Sequence, residues 1–230
     1  MEAENVDLAK RQAGEAAVDR YVRDGMCVGL GTGTTAYWAI QRVGTMVRGG
    51  AKISAVCTSI GTEELCRKVG IPVVGLLECE MSVAIDGADE VAPDFSLIKG
   101  AGGALLREKA VALAADTFVV VVDERKIVKA LGAVPVPVEV VQFTLPWVTR
   151  EIGRANPNAK IVLRGGAAKP YETDNHNVIL DCRFGTIDDP RGLDAALQSI
   201  HGVVDTGLFI GLTSAVFVGG AAGLEELNRV

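Results

Sequence analysis

Apolar positions along the chain follow two periods in alternation. Residues 5–24 place Val6, Ala9, Ala13, Ala16, Ala17 and Val18 near helical spacing among charges, which predicts an opening amphipathic helix stopped by Gly25. A short apolar run at 27–30 predicts a strand, a glycine- and threonine-rich stretch follows, and 36–47 is again apolar at helical intervals. Residues 52–57 predict the next strand, then a helix through Val69 ended by Gly70 and Pro72, then a short strand at 73–77. Runs at 81–85 and 95–98 read as strands and 104–115 as a helix. The nearly all-apolar run at 117–122 has the pattern of a parallel strand buried on both faces. This alternation predicts an α/β fold, a Rossmann-like, mostly parallel sheet with helices on both faces.

The pattern changes near Leu131, where Pro135, Pro137 and Pro146 appear and the apolar runs at 138–143, 161–164, 178–182 and 193–200 fit a smaller α+β unit. The expected organisation is a Rossmann-like catalytic domain from 1–131 and 206–230, with a smaller inserted α+β domain at 132–205. Residues 206–224 carry no charge, a length that reaches the transmembrane threshold. Five glycines with Thr213 and Ser214 break that stretch into 208–210 and 215–218, which read as two buried strands around a turn, and 222–230 reads as a terminal helix.

Composition narrows the class. With 49% hydrophobic residues, 5% aromatics and 27 glycines in 230 residues, the chain suits an Ala/Val/Gly-rich α/β enzyme with many tight strand-to-helix turns. A net charge of −6 argues against a nucleic-acid partner, because phosphate backbones are held chiefly by Lys and Arg. A small anion needs only a local basic pocket. Cys27, Cys57, Cys66, Cys79 and Cys182 show no CxxC spacing and there are two histidines, so no metal site is expected and the cysteines read as reduced, partly buried thiols. His176 and His201 read as turn residues. The acidic, polar start of the chain has no apolar h-region, so the expected location is the cytoplasm with no membrane partner.

Candidate chemistry gathers at 84–109, AIDGADEVAPDFSLIKGAGGALLREK. Asp86 and Asp89 follow one strand directly, Lys99 follows the next, and Glu108 falls on the first turns of a helix. An acid, base and cation set of this kind is what proton transfer requires, and the carboxyl edge of an open α/β sheet is where ligands bind. The glycines let backbone approach a ligand. A plainer reading makes Asp86 and Asp89 turn caps, Lys99 solvated, and Glu108 a partner of Arg107 or Lys109 on an exposed face. Upstream, Thr32, Gly33, Thr34 and Thr35 stand between a strand and a helix, where free N–H groups and the helix dipole favour an anion. The loop is no nucleotide fingerprint: Thr34 takes the place of a third glycine and no GK[ST] follows.

The 84–109 string resembles the A-type ribose-5-phosphate isomerases, whose hallmark is DGADE, then IKG with small residues, then REK. The likeness extends to GLGTGTTA at 29–36, VVDERK at 121–126, PVPVEV at 135–140 and TDNHNVILD at 173–181, in family order over nearly the whole chain. It implies interconversion of D-ribose 5-phosphate and D-ribulose 5-phosphate through an enediol(ate), without a cofactor. It further implies Glu108 as base, Asp86, Asp89 and Lys99 as the other catalytic groups, and substrate binding by Thr32, Gly33, Thr34, Thr35, Gly87, Ala88, Gly100, Ala101, Gly102 and Lys126. A homodimer or homotetramer is expected. Two departures stand out: Arg125 replaces a small residue, and Ile60 interrupts a polar pair. The competing readings are a non-catalytic phosphosugar sensor, which would carry a DNA-binding helix-turn-helix, and a related phosphosugar isomerase or deaminase of different substrate range.

Overall fold

The computed structural model of the protein describes residues 2–76 and 78–229. In chain order the elements are α1 (Glu2–Tyr21), β1 (Cys27–Leu30), α2 (Ala36–Arg48), β2 (Ser54–Cys57), α3 (Ile60–Val69), β3 (Met81–Asp86), β4 (Glu90–Val91), β5 (Leu97–Ile98), α4 (Leu105–Ala114) and β6 (Thr117–Asp123). There follow β7 (Val136–Val140), α5 (Leu145–Ala155), β8 (Lys160–Leu163), β9 (Val178–Arg183), α6 (Pro190–Gln198), β10 (Val203–Thr206), β11 (Leu208–Phe209), β12 (Ala215–Gly220) and β13 (Gly223–Asn228). They group into two compact units, one of Met1–Ala88, Arg107–Ile127 and Leu212–Val230, the other of Asp89–Leu106 and Val128–Gly211.

The first unit is built on a six-stranded sheet in the order β13-β12-β6-β3-β1-β2, parallel except for the β12–β13 pair. Alternate strand residues face opposite sides. Val28, Leu30, Val83, Ile85, Val119, Val121 and Phe217 pack with Ala13, Ala17 and Val18 of α1, Ala39, Ile40 and Val43 of α2 and Cys66 of α3. Each fully buried valine or leucine here contributes about 1.5–3 kcal/mol. On the opposite face α4 lies close because β1 carries Gly29, where a Cβ would stand 2.5 Å from Val111 Cγ1 and 2.8 Å from Ala84 Cβ. From β1 the chain crosses to β2 on one side and to β3 on the other. The carboxyl ends of β1 and β3 therefore flank the switch point where open α/β sheets bind ligands.

The second unit holds the antiparallel sheet β10-β7-β9-β8 and the small sheet β11-β5-β4. Its core joins Val136, Val138 and Val140 to Leu180 and Cys182, with Val148 and Ile152 of α5 and Leu197 of α6. The uncharged 206–224 stretch is thus shared between sheets, β11 in one and β12 in another. Among the described residues no helix is long and apolar enough to cross a membrane.

Three local expectations are corrected. Residues 223–228 form no helix but strand β13, paired with β12 from Ala215↔Asn228 to Gly220↔Gly223, because the outer edge of β12 would otherwise leave its peptide groups unpaired. The strand expected at 73–77 reduces to one bridge, Val73 to Ala55, with Leu77, like Val230, outside the described residues. Cys27 and Cys79 are joined in a disulfide, leaving Cys57, Cys66 and Cys182 as thiols. Burial, with the neighbouring Asp181 charge, pushes the Cys182 thiol up to about 12.

Candidate active site

Asp86 is the last residue of β3 and is 2% exposed. Its Oδ1 accepts the N–H of Gly87 at 2.7 Å and, from the loop after β1, the N–H of Thr32 at 3.1 Å. That approach demands glycine at 31, since a Cβ there would overlap Asp86 Oδ1. The Thr32 hydroxyl lies 2.8 Å from Thr58 Oγ1, 2.8 Å from Ser59 Oγ and 3.0 Å from Thr62 Oγ1, and Thr62 Oγ1 donates to the Gly31 carbonyl at 3.0 Å. Thr32 is therefore engaged in bracing the loop, and its amide fixes a carboxylate. Thr35 is the buried N-cap residue of α2, and Gly33 and Thr34 are exposed just before it.

Glu108 lies in the first turn of α4 and is 4% exposed, which rules out an exposed-face ion pair. It stands one turn before Val111, the residue that packs on Gly29 and shares a sheet face with Ala84. Two residues after Ala84, Asp86 faces the same side. Both carboxylates therefore sit on one face of the sheet towards its carboxyl edge.

Arg125 and Lys126 stand just past the end of the neighbouring strand, β6. Asp123 closes β6 and accepts the Arg125 amide at 3.2 Å, capping the short 3₁₀ turn Glu124–Lys126 that carries Lys126. Arg125 folds back onto the same carboxylate, with Nε 2.7 Å from Oδ1 and Nη2 3.1 Å from Oδ2. Burial alone would raise the Asp123 carboxyl, but the Arg125 hydrogen bonds and charge, with Lys10 adding to them, hold it below its ordinary value. Arg125 is thus neutralised by its own turn. Lys10, from α1, reaches Thr34, with Nζ 2.9 Å from Oγ1.

In the second unit, Asp89 donates its N–H to the Ile98 carbonyl at 2.8 Å and its Oδ2 accepts the Ala101 N–H at 2.9 Å. Lys99 is 2% exposed, so it is no solvated surface lysine; its N–H donates to the Gly207 carbonyl at 2.9 Å and its Nζ lies 5.4 Å from the centre of the Phe209 ring. Glu90 is structural: its two oxygens accept the amides of Gly132 and Val134, each at 2.7 Å. His176 and His201 are exposed, the former at φ 62° in a turn. Among the described residues no group of three or more His, Cys, Asp or Glu side chains could hold a metal ion.

Asp86 and Glu108, buried on one sheet face, with the glycine–threonine loop and the lysine that meets it, would suit proton transfer on an anionic substrate. The profile of the ribose 5-phosphate isomerase A (phosphoriboisomerase A) family matches residues 54–223. Ribose-5-phosphate isomerase A of Desulfatibacillum aliphaticivorans is 46% identical over 96% of this chain and 97% of its own length. The Bacillus mycoides protein of that name is 43% identical over 94% and 98%. The chain belongs to the ribose 5-phosphate isomerase A family. Among solved structures, ribose 5-phosphate isomerase A of Methanocaldococcus jannaschii superposes with a TM-score of 0.89 at 38% identity, covering 96% of this chain and 98% of that one. A D-ribose-5-phosphate isomerase solved in complex with phospho-erythronic acid gives 0.93 at 38% identity, covering 98% and 100%. The enzyme interconverts ribose 5-phosphate and ribulose 5-phosphate, an aldose–ketose isomerisation of the non-oxidative pentose phosphate pathway.

Two features of this isomerase escaped the sequence reading. The 58–62 loop, left out of the expected site because of Ile60, supplies the hydroxyls that anchor Thr32, while Ile60 itself is 48% exposed. Lys10 gave no motif. Its one signal is spacing: it stands three residues before Ala13 and seven before Ala17, both fully buried, so a half-buried charge borders the core-facing stripe of α1.

Proposed function

We propose that Glu108 is the base that moves the proton between C2 and C1 of the open-chain sugar. Its carboxylate takes the C2 proton, the C–H electron pair forms the C1=C2 bond, and the carbonyl electrons move onto O1 to give the enediolate. The same carboxyl then returns the proton to C1 while the proton of the C2 hydroxyl passes to O1, so that C2 becomes the carbonyl and O1 the hydroxyl. Asp86, Asp89 and Lys99 share ring opening, hydroxyl proton transfer and stabilisation of the oxyanion, and the phosphate is held by Thr34, the amides of Gly33, Thr34 and Thr35, Lys126 and Lys10. Gly87, Ala88, Gly100, Ala101 and Gly102 contribute backbone to substrate binding. The observation that supports this most is the burial of Glu108 and Asp86 on one sheet face, next to a loop whose Thr34 hydroxyl already meets a lysine. Water exclusion strengthens such electrostatics.

Glu108→Gln exchanges only the basic oxygen. Sugar-phosphate binding should persist while kcat falls by roughly 10²–10⁴-fold, the usual worth of a positioned base. Exchange of solvent deuterium into the carbon next to the substrate carbonyl measures the step itself. If the variant exchanges at the wild-type rate, Glu108 is not the base and Asp86 or Asp89 takes its place. We further propose a cytoplasmic homodimer or homotetramer. Self-association is supported by exposed Phe143, Val141 and Trp147, at 93, 42 and 46%, close together in sequence on one segment of the second unit. Sedimentation showing a monomer at micromolar protein would remove that reading.

A further inference from the structure

Two sequence motifs take no part in the chemistry above, PVPVEV at 135–140 and TDNHNVILD at 173–181, and both meet the glycine run after Lys99 within the second unit. Arg164, just beyond β8, is the link. Its Nη1 donates to the carbonyls of Gly100 at 3.0 Å and Ala101 at 3.2 Å, while Nε and Nη2 bind the two oxygens of Asp181 at 3.0 and 2.6 Å. Its own backbone is pinned, the N–H donating to the Ile179 carbonyl at 2.9 Å and the carbonyl accepting from Tyr171 at 2.8 Å. The Tyr171 ring lies 5.7 Å from the guanidinium carbon, and its hydroxyl donates to the Gly102 carbonyl at 3.2 Å. Pro137 closes the loop from another side, 3.3 Å from where a Gly100 Cβ would be.

We propose that Arg164 is a positioning residue for the isomerisation, acting through the Gly100–Ala101 peptide to hold Asp89 and Lys99 in productive geometry. That one peptide accepts from Arg164 at its carbonyl and donates to Asp89 at its N–H, so the cation, the peptide and the carboxylate form one hydrogen-bonded chain. Bonds in such a chain polarise and orient one another. Asp181 already balances the Arg164 charge, so what Arg164 supplies is direction rather than net charge. Ala101 is exposed, so water could satisfy its carbonyl, whereas Gly100 is buried and its carbonyl meets Arg164 in a part-buried contact. A glycine-rich segment, with Gly100 at φ +98°, has little conformational preference of its own and must be ordered from outside.

The inference rests on the roles proposed above for Asp89 and Lys99, and two measurements keep the two readings apart. Arg164→Ala and Arg164→Lys are compared with wild type for kcat and KM on ribose 5-phosphate, and for amide hydrogen exchange across 99–103, with thermal unfolding as the folding control. The alanine variant should lose about 10- to 100-fold in kcat, the cost of a small misplacement remote from the chemistry, with KM within about 3-fold. Added guanidinium should restore part of kcat saturably, and lysine should fall between. The Ala101 amide should exchange at least about 10-fold faster in the alanine variant, since its ordered acceptor depends on the clamp. A folded Arg164→Ala with wild-type kcat, with kcat and KM shifted together, or with unchanged Ala101 protection overturns the proposal. If alanine prevents folding, Arg164→Lys and Tyr171→Phe decide by the same criteria. If Asp89→Asn and Lys99→Met keep the wild-type kcat, the roles given to those two groups fall, and the exchange measurement still judges the clamp.

Discussion

Lys10 stands half-buried at the border of the apolar stripe of α1, and its ammonium meets the Thr34 hydroxyl in an exposed contact. A charge at the border of an apolar stripe is best placed where it meets a partner. A substrate phosphate at the Thr34 loop would be such a partner in turnover. Lys10→Ala should therefore raise KM for ribose 5-phosphate about 10-fold, the equivalent of ~1.4 kcal/mol for one charged hydrogen bond in a partly open site. With kcat nearly unchanged, the loss would be uniform binding of ground and transition states. Steady-state kinetics with Lys10→Ala and Lys126→Ala checks it, and an unaltered KM in the first removes Lys10 from the site. The other candidate groups could be picked out in the sequence because Asp86, Lys99 and Glu108 each interrupt or follow an apolar run at a strand or helix end. Lys10 could not, because the loop it serves lies 24 residues away. Arg125 was legible as a charge and not as a neutral one, since only the folded turn lays it on Asp123.

At the scale of elements, the periodic ones were the readable ones. α2, α3, α4 and β6 follow the 3.6-residue pattern or the continuous apolar run, and their burial is their cause. β13 defeats that logic: Leu224, Glu225, Glu226 and Leu227 are good helix formers, and the sequence Gly-Leu-Glu-Glu-Leu-Asn reads as a helix. Pairing with β12 wins because it completes a sheet edge, a gain visible only once β12 is in place. The small sheet is hidden for a related reason. β4, β5 and β11 have two residues each, too short for a period, and β11 joins β5 from more than a hundred residues along the chain. The Cys27–Cys79 link, 52 residues apart, likewise has no local signal. Spacing detects metal and redox motifs that lie close in sequence, whereas a distant pair depends on where β1 and the segment before β3 are brought.

For the whole molecule, a net charge of −6 and a dianionic substrate set a condition: attraction must come from local groups, because the long-range field opposes it. At physiological salt the opposing field fades beyond about 8 Å, so a short-range anion site, as proposed for the Thr34 loop with Lys10 and Lys126, is compatible with an acidic protein. Phospho-erythronic acid, the ligand of a solved isomerase 38% identical to this chain, tests that division directly. Its carboxylate is planar and anionic, like the enediolate at C1 and C2, and its phosphate sits at the far end of a sugar chain. It should compete with ribose 5-phosphate and, binding only the native state, should stabilise it by about 2.7 kcal/mol at a hundred times Kd. Erythronic acid without the phosphate keeps the enediolate-like end and loses the anchor, so at the same concentration it should shift Tm far less. Lys10→Ala should shrink the difference between the two acids, whereas Glu108→Gln should leave it in place. Equal stabilisation by both acids would show that the phosphate carries no affinity, and the assignment of Thr34, Lys10 and Lys126 would fail while Glu108 kept its role.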